Sequence, residues 1–181
     1  MHGPSRRGKL LLFALALTLV SSMLVLFLPL IVAQTFYYSR DTILLLIPAK
    51  NFMLLAVALG MLVVMLVIIA FLQKPWSYTL ATIVVLLSGI TGYASTQSII
   101  LIEQQGITIR DVYKKEHYTW DSIARVTYYY TAHTDDGKYT FVTTTGEEIT
   151  INETPLFDAY KKSVFREVLK RHNISYETHS R

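Results

Sequence analysis

Three stretches of this chain carry no charged side chain at all: residues 10–39, 51–73 and 75–102. A bilayer core about 30 Å thick is crossed by roughly 20 residues of helix, so each stretch is long enough to span. Burying all three inside a soluble protein of 181 residues would leave too little chain to cover them. The spans are placed at about 10–33, 52–73 and 77–101 of a membrane region covering 1–102. Aromatic residues stand where the interfaces should fall: Phe36, Tyr37 and Tyr38 after the first span, Trp76 and Tyr78 at the start of the third. Pro75 suits a first helical turn, so spans two and three should form an antiparallel hairpin. The first run far exceeds the 7–15 residues of a signal-peptide core and is expected to be retained.

The average composition hides this division. Up to residue 102 the chain carries six Lys or Arg and one acid, a net of +5, and the remainder has a net of −1. The basic balance therefore flanks apolar segments and does not form a nucleic-acid-binding face, so no nucleic-acid partner is expected. A chain that is 52% hydrophobic and 17% charged also lacks the composition of a disordered tail. With no cysteine, disulfide scaffolds, thiolate zinc sites, iron–sulfur clusters and cysteine nucleophiles are excluded.

No acid, base or histidine lies inside the spans, which argues against a pump or an ion-coupled carrier. Small residues recur instead. Ala56 and Gly60 on the second span, and Ser88, Gly89 and Gly92 on the third, have the spacing that lets helix backbones approach. Ala56, Gly60, Ser88 and Gly92 are therefore candidate packing positions, within the chain or in an oligomer. Arg6, Arg7 and Lys9 precede the first span, which commonly sets orientation, so the N-terminus is expected in the cytoplasm. Three spans then put the C-terminal domain on the extracytoplasmic side of the cell membrane. Residues 40–50 hold a short apolar stretch and Pro48, and read as a loop more readily than as an interfacial segment.

From residue 103 the long apolar runs give way to alternation. Ile107 and Ile109 alternate with Thr108 and Arg110 as in a half-buried strand. Residues 117–120 resume the pattern, and 123–131 is rich in β-branched residues and tyrosine. Asp136-Gly137 is a hairpin signal, because that pair tolerates the positive φ of a tight turn. Residues 139–145 return, and Ile149 and Ile151 mark a further strand. A helix is expected over 155–172, capped by Thr154 and opened by Pro155. Its apolar stripe is Phe157, Tyr160, Val164, Phe165, Val168 and Leu169. Residues 174–181 are left as a short strand or a frayed tail. The fold class is thus a three-span α-helical membrane region plus a small α+β domain, 103–181.

Gly106-Ile107-Thr108-Ile109, the step Trp120-Asp121-Ser122-Ile123 into a strand, and the helix opening Pro155-Leu156-Phe157 resemble the bacterial pleckstrin-homology-like domains that follow membrane spans. The resemblance covers about residues 99–172. It implies a strongly bent, barrel-like antiparallel sheet capped by one amphipathic helix, and it implies no enzyme activity. Some relatives are linked to envelope stress or bacteriocin self-protection.

The chemistry-bearing side chains are sparse. Trp120 and Tyr118 are read as core and edge residues before a ligand-stacking pair, and Asp121 as a turn residue. His133, Asp135 and Asp136 match no metal-ligand spacing. No catalytic set, metal site or cofactor is expected. Tyr128, Tyr129 and Tyr130 form a candidate interaction face. Lys162, Arg166 and Lys170, four apart on the helix, are a candidate anionic-lipid face, though bases there also suit the negative end of the helix dipole. The expected function is a non-catalytic interaction or regulatory module at the membrane surface. Its partners would be the lipid bilayer and a membrane or envelope protein. Two alternatives stay open: an anionic-lipid-binding module, and a subunit of a transporter or bacteriocin-immunity complex.

Overall fold

A computed structural model describes residues 5–72, 74–131, 134–154 and 157–180. The chain divides into two units, one of Met1–Tyr37 with Ile47–Ser98, the other of Tyr38–Leu46 with Ile99–Arg181.

The first unit holds α1 (Arg6–Tyr37), α2 (Ala49–Leu72) and α3 (Pro75–Ala94), and all three are long and apolar enough to cross a membrane. They are apolar around their whole circumference, as lipid-facing helices are. Leu12, Met53 and Ile90 stand more than half exposed. α2 packs against both α1 and α3. At one end the Arg6 guanidinium donates to Tyr78 Oη at 2.9 Å, and Arg7 lies 4.2 Å from the Phe71 ring centroid. Near the start of α2, the buried Asn51 side chain donates to the Ser98 carbonyl at 2.6 Å. This donated hydrogen bond links the start of α2 to the segment that follows α3, while Asn51 Oδ1 is buried without a partner among the described residues.

Within the chain, the small residues are used unequally. Ser88 Oγ donates to the Ala58 carbonyl at 2.8 Å, and a Cβ added at Gly92 would lie 4.0 Å from Ala58 Cβ. Ala58 is thus the partner of Ser88 and Gly92. Ala56 and Gly60 are exposed, and Gly60 has open space where a Cβ would point. The i,i+4 spacing identified a stripe on α2, but the helix turns a neighbouring stripe towards α3.

The second unit departs from the expected boundaries in two places. Residues 99–101, assigned to the third span, belong to strand β2 (Ile99–Glu103), because α3 ends at Ala94. Within the segment read as a loop, Thr42–Leu46 is strand β1, antiparallel to β2 with Leu45 opposite Leu101. Hydropathy merged β2 with the span before it because Ile-Ile-Leu-Ile is apolar on both faces of a strand. β1 was obscured for the same reason: Thr42, Leu44 and Leu46 are buried and alternate with Ile43 and Leu45, so no polar residue marks the period.

β3 (Gly106–Arg110) and β4 (Lys115–Thr119) complete a four-stranded sheet in the order β1-β2-β3-β4. A Cβ at Gly106 would collide with the Tyr118 carbonyl, so the close approach of β3 and β4 there needs glycine. A short 3-10 turn, Trp120–Ser122, leads into β5 (Ile123–Thr131). β6 (Thr134–Thr143), β7 (Glu148–Asn152) and β8 (Ser175–Ser180) build a second sheet, ordered β7-β6-β5-β8, in which β8 runs parallel to β5. The residues left as strand or tail therefore form a strand. Asp136-Gly137 does not make the hairpin turn; it lies inside β6, and residues 132–133 lie outside the described residues.

The helix α4 (Ala159–Arg171) starts later than expected, capped by Asp158, whose Oδ1 accepts from the Lys161 N–H at 2.8 Å. Thr154 is not the cap, and Pro155 and Leu156 lie outside the described residues. α4 buries Phe165, Val168 and Leu169 against both sheets. The Phe165 ring lies 5.6–6.1 Å, centroid to centroid, from Trp120, Tyr139, Phe141 and Phe157. Trp120 is a core residue, 1% exposed, and its Nε1 donates to the carbonyls of Glu103 (3.1 Å) and Gln104 (3.0 Å).

Two stability outcomes follow. Phe165→Ala removes the ring shared by four others and costs about 3–5 kcal/mol, read as a drop in the denaturant midpoint of the β unit. In detergent unfolding of the helical unit, Gly92→Leu is destabilising by about 1–3 kcal/mol, whereas Gly60→Leu stays within about 0.5 kcal/mol.

Candidate functional site

α4 and β8 are joined by a tight reversal. His172 caps the helix, and Asn173 adopts a left-handed φ of 54°, a conformation asparagine tolerates well. Ile174 then plugs into the core, 9% exposed, and the chain runs out as β8. Lys170 and Arg171 occupy the last turn, where cations complement the negative helix end.

Between the helix and this strand lies an open groove of about 520 Å³. Ser163, Arg166, Glu167 and Lys170 form the helical wall, and the nearly buried Leu169 and Ile174 complete the lining with Tyr176. The Arg166 guanidinium carbon sits 5.6 Å from the Tyr176 ring centroid, within cation–π range. Among the described residues neither Arg166 nor Lys170 makes an ion pair. Glu167 is engaged by Arg171 at 3.6 Å.

The structure breaks up the expected cationic face. Lys162 forms an ion pair with Glu153 and lies 6.0 Å from the Tyr128 ring centroid. Glu153 also accepts from Tyr128 Oη at 2.5 Å, and its side chain is only 11% exposed. A buried carboxylate needs such partners, so Lys162 is held for a structural purpose. Gly137 makes room for this cluster, since a Cβ there would run into the Glu153 carboxylate and the Tyr128 ring. Arg166 and Lys170 remain as the exposed pair.

The three consecutive tyrosines are likewise divided. Tyr128 is half-buried, stacked 6.2 Å from Tyr130 and in a tilted contact 4.6 Å from Tyr139. Tyr129, one residue out of phase, lies 5.7 Å from the His179 ring of β8. Only Tyr130 is exposed, at 41%. Alternation on a strand makes one continuous face of all three impossible.

Elsewhere, Tyr118 Oη donates to Glu147 at 3.1 Å, and the exposed Asp121 lies 3.5 Å from His172 Nδ1. Among the described residues no group of three His, Asp or Glu converges as a metal site, and His133 lies outside them. Tyr176, Ile174 and Ser163 were not singled out from the sequence. Their signal was the spacing of Ile174 and Tyr176, two apart, in a segment too short and polar to stand out as a strand.

Burial, then the hydrogen bond to Glu153, pushes Tyr128 up from 10.0 to about 12. Burial and Glu147 do the same for Tyr118, to about 12, and burial raises Tyr139 further. These phenols are raised above their unfolded value, so their stabilisation is complete below pH 10 and is lost as pH climbs through the folded values. In an alkaline titration followed by tyrosinate absorbance, Tyr118 and Tyr128 ionise about two units late. Tyr128→Phe removes one late phenol and softens the alkaline loss of stability.

Compared with known proteins, the chain matches no protein-family model and no curated protein.

Proposed function

We propose that this is a multipass cell-membrane protein whose β unit is a pleckstrin-homology-like, non-catalytic interaction or regulatory module working at the membrane surface. One observation carries the reading. The chain passes between helices and β unit three times, through residues 38–41, 47–48 and 95–98, because β1 falls between α1 and α2 while its partner β2 follows α3. A tethered domain joined to a membrane span at one terminus needs one crossing. Three crossings of two to four residues each tie the module to the spans and make it suited to reporting on them or on a neighbour in the bilayer.

Seven strands in two antiparallel sheets, β1 to β4 and β5 to β7, followed by one amphipathic helix, support the pleckstrin-homology-like reading, with β8 as an addition. The groove beside α4 and the exposed Tyr130 supply surface for a partner. In this reading the N-terminus, with Arg6, Arg7 and Lys9, is cytoplasmic, and the module samples the extracytoplasmic side.

Topology reporters fused after Lys74 and after Arg181 test the arrangement. The Lys74 fusion reports cytoplasm and the C-terminal fusion the opposite side; the reverse pattern would place the module in the cytoplasm. Photo-crosslinkers at Tyr130 and Ser163 in living cells are expected to trap a discrete membrane or envelope protein, and the absence of any adduct at both positions would remove the interaction-module reading.

A further inference from the structure

β8 is the last strand of its sheet. It pairs with β5 along six residues, Ser175 to Ser180, with no shift of register, and among the described strands it has no neighbour on its other side. An edge of this kind presents unpaired backbone donors and acceptors, and proteins usually blunt it with Lys, Pro or a bulge. The sequence of β8, Ser-Tyr-Glu-Thr-His-Ser, contains neither Lys nor Pro, and five of its six residues are exposed.

Beside that strand lies the groove with Arg166 and Lys170 on its helical wall and Leu169, Ile174 and the Tyr176 ring among its apolar residues. Arg166 and Lys170, which make no ion pair among the described residues, complement a ligand that turns its carboxylates towards the groove. The strand edge complements a ligand with an extended backbone. We propose that the α4–β8 groove is a docking site for an extended acidic peptide segment of a partner protein. The segment joins the free edge of β8 as a further strand and sets its carboxylates beside Arg166 and Lys170.

The inference rests on the interaction-module reading and names the partner's chemistry. A lipid headgroup would satisfy the two cations but would leave the strand edge unused, so a peptide accounts for both features. β7, the opposite edge of the same sheet, contributes no residue to the groove. Main-chain pairing supplies the affinity in such strand addition, while side-chain pockets supply the choice of ligand.

The chain has no cysteine, so single labels can be placed cleanly on the full-length protein in nanodiscs of neutral phosphatidylcholine. The probe is a fluorescent peptide of alternating isoleucine and glutamate, with its lysine-for-glutamate counterpart as control. The acidic peptide binds, the lysine peptide does not, and Arg166→Glu with Lys170→Glu weakens binding by roughly tenfold or more. Arg166→Lys with Lys170→Arg retains binding, which separates lost charge from lost fold. A nitroxide at Thr178→Cys quenches the bound peptide, whereas one at Glu148→Cys does not. Equal binding to wild type and the charge-reversed protein, or quenching from Glu148→Cys alone, overturns the proposal. So does a wild type that ignores the peptide but binds phosphatidylglycerol vesicles through these two cations, which would give the groove to lipid. Cellular crosslinks that persist through any of these failures leave the module reading standing; their absence from wild type removes both.

Discussion

The antiparallel pairing of β1 with β2 is the contact on which the rest of the molecule depends. The two strands are neighbours in space, with Leu44 opposite Ile102, yet α2 and α3 lie between them in the chain. A helical hairpin is thus inserted into what would otherwise be a short connection between adjacent strands. The consequence is mutual. Leu44 and Leu46 join the core of the β unit, so that unit is incomplete without residues that precede the second helix. The hairpin in turn has both ends tied to one sheet. A conventional anchor can be exchanged without touching the domain it carries; here the anchor and the domain share their connectivity.

The interior of the β unit explains why one helix suffices to close it. Two four-stranded sheets each leave an apolar face, and α4 supplies Phe165, Val168 and Leu169 to meet them. Phe165 is surrounded by aromatic rings from the 3-10 turn, from β6 and from the segment before α4. Tilted and edge-on ring pairs are favoured over face-to-face stacks, and they fill volume without polar groups. Two partly buried polar groups, Tyr128 and Glu153, are compensated by each other and by Lys162. That compensation is why the helix bases do not act together. Of Lys162, Arg166 and Lys170, the first is paired with Glu153 and the other two stand at the surface.

How much was legible follows from which signals are local. The helical runs announced themselves by length and lack of charge, and Phe165, Val168 and Leu169 of α4 by their period, whereas Tyr160 of the same expected stripe is exposed and Phe157 precedes the helix. Trp120, placed before a β-branched run, read correctly as core. The failures came where local patterns were silent. Thr42–Leu46 and Ile99–Glu103 are apolar on both faces, so neither shows a period of two, and only their pairing identifies them as strands. Asp136-Gly137 has turn chemistry, but its glycine serves a long-range need, the space taken by Tyr128 and Glu153. Ala56 and Gly60 have packing chemistry, but the rotation of α2 is decided by Ser88 and Gly92 meeting Ala58. The groove was half legible: Arg166 and Lys170 stood out as charges, whereas Tyr176 belongs to the site only because β8 runs back parallel to β5.

Chain order also dictates a sequence of events in folding. β1 is made after α1 but cannot meet its partner until α2, α3 and β2 have followed it, so its buried Leu44 and Leu46 wait through the synthesis of two apolar helices. Contacts of large sequence separation form late, because the loop between them must first be closed. When that loop consists of two helices long and apolar enough to cross a membrane, insertion of the hairpin does the closing: an antiparallel pair returns the chain to the side from which it left. Helix insertion therefore lowers the entropy cost of the β1–β2 pairing, and that pairing then completes the sheet that begins the β unit. The α2–α3 hairpin thus closes a loop of the β-sheet as well as supplying two helices long and apolar enough to span.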